Sequence, residues 1–285
     1  MTAMHTRRTL QLLLSLLVSL HSLAAQPAAW MEPFPPHQIA GNLYYVGSKD
    51  LASYLIATPE GHILINSSFE ESVPLIRASI EKLGFKFTDV KILLISHAHS
   101  DHCAGSAEII KQTKAQYFVM EQDADAVENG GDKKSRLKAS YLQFTPAKVD
   151  RRLKDGDEVK LGGSTLIANL TPGHTRGCTT WTMKVDGLNA VIIGSPNVNP
   201  GYILVGNTDY PTIATDYERT FRFLKAQPVD LFLGAHGGYY DMNAKHTRFH
   251  VAGGTNPFID PEGYHRYVAD REKAFLAELA KQQSK

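Results

Sequence analysis

Short apolar runs broken by Gly, Pro and polar clusters alternate along the chain with stretches whose apolar residues recur every third or fourth position. After a Pro-rich lead (Pro27, Pro33, Pro35, Pro36), strand-like runs cover residues 42–46, 53–58 and 62–66. Pro59-Glu60-Gly61 separates the last two, a turn signal that predicts a hairpin. Val73, Ile76, Ile80 and Leu83 then fall at helical spacing, and Gly84 suits the position just past a helix end. The continuous apolar run 92–95 predicts a strand buried on both faces. Behind it come a helix over 106–111, a strand over 116–120 and a helix over 123–129 that stops before Gly130-Gly131.

The second half repeats the theme. Strands are expected over 158–161, 165–170, 179–185 and 190–193, with turns at Gly162-Gly163 and Asp186-Gly187 and helices over 213–225 and 261–281. Each half thus groups its strands ahead of its helices. That favours two sheets face to face with helices outside, an α/β protein of αββα sandwich architecture, over a regularly alternating parallel sheet. No tandem repeat or linker divides the chain, so one domain is expected.

Composition narrows the function classes. Apolar residues make up 43% of the 285, enough for a sizeable core. Lys and Arg number 30 against 29 acids, so no charge excess points to nucleic acid or to an anionic membrane surface. The first residues read as an address. Arg7 and Arg8 precede an apolar run, 10–20, that is short for a membrane span, and the small residues Ser22, Ala24 and Ala25 follow. Residues 1–25 are therefore expected to be a signal peptide and 26–285 the mature catalytic domain, exported to a bacterial periplasm and not held in the membrane after cleavage. The two cysteines, Cys103 and Cys178, are too few for a disulfide framework, and the sequence leaves open whether they pair.

The chemistry is concentrated behind the buried strand. In "KILLISHAHSDHCAG" (91–105), His97, His99, Asp101 and His102 crowd into six positions. Burying such groups unpaired would cost several kcal/mol, whereas imidazole and carboxylate are good zinc ligands. In an extended stretch residues two apart point the same way, so His97 and His99 can face one ion. Asp101 and His102 come where the chain turns into a helix and can aim at a neighbouring point. His174, in the turn of "LTPGHTRGCTTW", and His236, after the apolar strand of "VDLFLGAHGG", bring the ligands to six. Three per ion would leave open positions for water, as catalytic zinc requires. His37, His62, His246, His250 and His265 lack such company and are read as surface or packing residues; His5 and His21 belong to the leader.

These residues carry a family resemblance. "HAHSDH" matches the His-x-His-x-Asp-His motif of the metallo-β-lactamase superfamily, and "PGHT" and the later histidine match its further ligand positions in order. The chain resembles in particular the third subclass of metallo-β-lactamases, which uses histidine in the second zinc site; "PGYILVGNTDYPTIATDYERTF" is similar to the matching stretch. The resemblance implies two Zn2+ ions, the first on His97, His99 and His174, the second on Asp101, His102 and His236. It implies a β-lactamase opening the rings of penicillins, cephalosporins and carbapenems, with Asp101 orienting a zinc-bound hydroxide. Glyoxalase-two-type thioesterases, lactonases and zinc phosphodiesterases, the alternative hydrolases, typically carry a bridging aspartate after a strand. Here no acid occurs between Asp186 and Asp209.

The chain departs from the subclass where serines often precede Pro-Gly-Tyr, reading Ser195-Pro196-Asn197-Val198-Asn199, and it has Arg176 and Cys178 where Pro and Ser are common. Arg176, Asn197 and Asn199 are candidates for the substrate carboxylate. Trp30 and Phe34, in a lead taken as mobile, are candidates for the pocket wall, and Trp181 is expected in the core. Cys103 is expected to stand beside the ligands without being one. The partner that the resemblance implies is a small-molecule β-lactam; a monomer is favoured, and the sequence leaves the oligomeric state open.

Overall fold

Short strands, some buried at alternate positions and others along their whole length, build two sheets. The computed structural model describes residues 27–131, 143–249 and 255–284; the leader expected over 1–25 and His250 lie outside the described residues. One sheet runs in chain order through β1 (His37–Ala40), β2 (Leu43–Tyr45), β3 (Tyr54–Thr58), β4 (Gly61–Ile65), β5 (Val90–Leu94), β6 (Gln116–Met120) and β7 (Arg151–Leu153). The other contains β8 (Asp157–Leu161), β9 (Ser164–Leu170), β10 (Thr179–Val185), β11 (Leu188–Ile193) and β12 (Leu231–Gly234), ordered β12-β11-β10-β9-β8.

Pairing follows connection length. The hairpin-linked strands β1 to β4 are antiparallel, and β4 to β7 are parallel. Parallel neighbours need a crossover, supplied by α1 (Val73–Lys82), by α2 (Ser100–Cys103) with α3 (Ser106–Thr113), and by α4 (Glu121–Glu128). In the second sheet only β11 and β12 are parallel, joined across α5 (Ile213–Ala226). The chain closes with α6 (Met242–Phe249) and α7 (Pro261–Gln283).

Two apolar clusters show the layering. Ile92 and Leu94 of β5 join Trp181 and Met183 of β10, in a cluster that continues to Tyr217 and Phe221 of α5 and Phe275 of α7. Leu93 and Ile95 point the other way, to Ile76 and Ile80 of α1, Ile109 of α3 and Val127 of α4. The strand is therefore buried on both faces, and the αββα order read from the sequence holds. The hairpin at 59–61 is present, and α1 ends at Gly84 with φ +88°, a left-handed conformation that glycine adopts without penalty.

Three elements go beyond the sequence reading. β1 has four residues, and β7 opens with two exposed arginines on a sheet edge, so neither carries an apolar run. α6 is polar along most of its length and is fixed instead by Lys245. That ammonium is buried against Asp260 at 2.8 Å and lies 5.1 Å from the centre of the Phe232 ring. The lead is also docked from Pro27 onward: Lys49 N donates to Glu32 O at 2.9 Å, and Pro33 bridges to Ser48.

Parallel strands deliver their carboxyl ends to one edge, where loops can gather a site. Trp181 fastens the sheets near that edge: it is 1% exposed and its Nε1 donates to Ile95 O at 3.0 Å. Trp181→Ala is expected to lower the stability of the chain by about 3–5 kcal/mol, read as a shift of the urea midpoint; a midpoint equal to the wild type would show that this ring does not join the layers.

Candidate metal centre

The polar groups at the end of β5 are satisfied before the ligands begin. Asn66 Oδ1 accepts from Ser96 N at 2.7 Å and its Nδ2 donates to Ala52 O at 3.1 Å. Thr179 N donates to Ser96 O at 2.7 Å, and Trp181 holds Ile95 O. The chain can thus leave the core extended without orphaned backbone groups. His97 and His99 consequently face the same way, with ring centres 4.8 Å apart. The chain then turns at His99 (φ −97°, ψ 148°) into the single turn α2, which carries Asp101 and His102.

His174, on the turn that follows β9, sets its ring 4.7 Å from both His97 and His99. Its Nδ1 lies 2.8 Å from Asn197 O. A carbonyl only accepts, so Nδ1 carries the hydrogen and Nε2 keeps its lone pair for the centre. His236 follows β12, where β11 and β12 end side by side: Ala235 N donates to Ile193 O at 2.8 Å. Its Nδ1 meets Asp50 Oδ2 at 3.0 Å, which fixes the hydrogen there and turns Nε2 inward. Asp50 also accepts from Gly238 N at 2.8 Å and from Trp30 Nε1 at 3.1 Å.

The six side chains predicted as ligands therefore meet. Two groups have donor atoms all within 4.8 Å of one another, His97 with His99 and His174, and His97 with Asp101 and His102. His236 completes the second: His102 Nε2 is 3.2 Å from His236 Nε2 and 3.2 Å from Asp101 Oδ2, and His236 Nε2 is 3.5 Å from Asp101 Oδ2. Four ligands at zinc–nitrogen and zinc–oxygen bond lengths of ~2.0–2.1 Å around a tetrahedron stand about 3.3 Å apart. The Asp101–His102–His236 triangle has that edge length, so the residues present fit zinc.

Electrostatics favour the ligating forms. Burial, and then the neighbouring imidazoles, hold His97 and His174 well below the usual histidine range, and burial lowers His102 against the pull of Asp101. They are kept neutral, as metal binding requires. Burial works to raise Asp101, but His102 and His236 outweigh it and hold the carboxylate well below its ordinary value. His236 is the exception: burial lowers it, yet the hydrogen bonds to Asp101 and Asp50 prevail and lift it to about 9.

Other predicted residues take defined places. Trp30 lies 5.6 Å from the His236 ring and 6.1 Å from Phe69, while Phe34 turns away to pack on Tyr45 and His246. The guanidinium of Arg176 sits 4.7 Å over the Tyr210 ring and donates to Asp209 O. Asn197 gives its carbonyl to His174 and to the Tyr217 hydroxyl (2.7 Å), and its Nδ2 donates to Tyr239 Oη at 3.0 Å. Asn199 is exposed in the same loop. His37 and His62 are buried packing residues and His265 is exposed. Cys103 and Cys178 are both free, buried thiols; burial pushes Cys103 well up and Cys178 to about 12. Among the described residues neither metal-capable group includes Cys103.

Three residues close to the centre escape sequence reading. Asp50, in "SKDLAS", has the look of a surface turn; Tyr239 follows the paired glycines after His236. Tyr202 lies in the quoted Pro-Gly-Tyr, yet nothing in the sequence shows that its hydroxyl donates to His174 O at 2.8 Å.

The model of the metallo-beta-lactamase superfamily matches residues 51–236. Among solved structures, the native FEZ-1 metallo-beta-lactamase from Legionella gormanii is 54% identical, with a TM-score of 0.87 over 89% of this chain and 98% of that one. BJP-1, a subclass B3 metallo-beta-lactamase of Bradyrhizobium japonicum, is 40% identical, with a TM-score of 0.84 over 90% of this chain and 98% of that one. A hydroxyacylglutathione hydrolase from Rhodopseudomonas palustris (strain BisB5) is 33% identical over 126 residues, 44% of this chain. The chain spans about 40% of the length of the curated relatives it matches first.

The raised His236 gives a pH signature in the metal-free chain. Its folded value of about 9 exceeds the ordinary 6.5, so its contribution to stability is fully present below about 6.5 and is lost as pH rises through about 9. An NMR titration of the metal-free protein should place the His236 imidazole near 9, and Asp50→Asn should move it down towards 6.5. A wild-type value near 6.5 would contradict the two-carboxylate arrangement.

Proposed function

Because the chain belongs to the metallo-β-lactamase superfamily, we propose that it is an exported zinc hydrolase that opens the β-lactam ring of penicillins, cephalosporins and carbapenems. The observation that carries the proposal is the convergence of all six ligand-type side chains in a chain that aligns along almost its whole length with a metallo-β-lactamase at 54% identity. His97, His99 and His174 would hold one ion, and Asp101, His102 and His236 a second. Residues 1–25 would be removed on export to the periplasm, leaving 26–285 as one catalytic domain.

Bound zinc supplies Lewis acidity: it lowers the pKa of water to near 7 and polarises a carbonyl. The protein's own groups do the positioning. Asp101, kept ionised by His102 and His236, accepts a hydrogen bond from the attacking water and orients its lone pair at the lactam carbon. Hydrolysis forms a carbon–oxygen bond from that water and breaks the ring carbon–nitrogen bond, and the water's proton ends on the released nitrogen. Trp30 and Phe69 wall the approach on the His236 side. Arg176, braced on Tyr210, and Asn199 offer polar contacts for the substrate carboxylate, while Asn197 holds the loop of Asn199 against His174.

A second reading, a thioesterase or lactonase of the same superfamily, draws support from the likeness to hydroxyacylglutathione hydrolases. The loop over 194–208 argues against it, since it contains no carboxylate that could bridge two ions. Ser195 there is buried, its Oγ 3.2 Å from Tyr239 Oη.

A substrate panel decides between the readings. The zinc-loaded mature chain should hydrolyse nitrocefin and a carbapenem and leave a homoserine lactone and a glutathione thioester nearly untouched; turnover of either of those without lactam turnover would overturn the proposal. Chelator should abolish the activity and added zinc restore it. Asp101→Asn should lower kcat by about 100-fold or more, and a variant at the wild-type rate would remove Asp101 from the mechanism.

A further inference from the structure

We propose that Asp123 is a positioning residue that sets the zinc affinity of the His97–His99–His174 group, an inference that rests on the zinc reading of those histidines. Asp123 lies in the first turn of α4, an element that contributes no ligand, and it is only 3% exposed. Its carboxylate nevertheless reaches both ligand-bearing segments. Oδ2 accepts from Ala98 N at 2.9 Å, the amide between His97 and His99. The same oxygen accepts from Thr175 Oγ1 at 2.7 Å, the residue after His174. Oδ1 accepts from Gly177 N at 2.7 Å.

An ionised carboxylate accepts at both oxygens and donates nothing, so all three bonds are satisfied at once. The approach also requires glycine at 177. A Cβ built there would stand 2.5 Å from Asp123 N and 2.6 Å from Asp123 Cβ. One buried side chain thus spans two segments distant in sequence and fixes the separation of the His97–His99 pair from His174. Such supporting contacts behind metal ligands are worth about 10–100-fold in affinity.

A purely structural role would make Asp123 important for folding and irrelevant to zinc. Two measurements on the purified chain separate the cases: zinc affinity by chelator competition, and hydrogen exchange of the Ala98 and Gly177 amides without metal. In Asp123→Asn the amide nitrogen must face one of three donors. Zinc binding should weaken about 10–100-fold, and at least one of the two amides should exchange faster. Wild-type affinity, or unchanged exchange, overturns the inference.

If that variant does not fold, Thr175→Val removes a single bond at a partly exposed position and should weaken zinc binding several-fold, while Thr175→Ser should restore it. Equal affinity in the two variants overturns the inference as well. Val268→Ala in α7, outside the two segments that Asp123 joins, should lower the unfolding midpoint and leave zinc affinity as in the wild type. A wild-type chain that binds no zinc would refute the zinc reading and the affinity claim with it; the exchange of the two amides, measured without metal, separately decides whether Asp123 makes the contact.

Discussion

Imidazoles gathered behind the end of a buried strand repel one another whenever two of them carry a proton, and low-dielectric surroundings magnify that repulsion. The arrangement persists because burial keeps His97, His174 and His102 neutral. Asp101 and Asp50 stabilise the proton retained on His236 by accepting hydrogen bonds from it. A bound cation would take over the role of that proton. The surrounding loops are organised to this end: Asn66 and Thr179 satisfy the strand end, Asn197 and Asp50 fix two histidine tautomers, and Tyr202 and Tyr239 hold the covering loop.

Carboxylates divide the labour around this cluster. Asp101 points into it and is a ligand-type group. Asp50 stands behind His236 and links it to Trp30, so the docked lead and the second group of ligands share one anchor. Asp123 stands behind the first group. The geometry of the cluster is the product of contacts made by residues that lie outside the ligand motif.

That division explains what could be read from the sequence. The double burial of β5, the helices α1 and α5, and the hairpin between β3 and β4 rest on local periodicity, which a single chain displays. The six histidine and aspartate positions were legible because ligand spacing is local within 97–102 and because His174 and His236 each follow an apolar strand. Strand β7 and helix α6 were not, since their order comes from an edge pairing and from the buried Lys245–Asp260 pair. Asp50 and Asp123 were invisible for the same reason: their roles exist only once distant segments meet. The lead reads as loose in the sequence because its proline content hides a docking made by Glu32 and Trp30.

The family is shared by enzymes of different chemistry, and in this chain the loop after β11 brings Ser195 and Asn197 to Tyr239 and contains no carboxylate from residue 194 to 208. On the proposed reading the ligands would divide into a three-histidine group and an aspartate–histidine–histidine group. Anomalous diffraction at the zinc edge, from crystals of the zinc-loaded chain, reads that division. Two peaks are expected, one bounded by His97, His99 and His174 and the other by Asp101, His102 and His236. A single peak, or one ligated by Cys103, would contradict it.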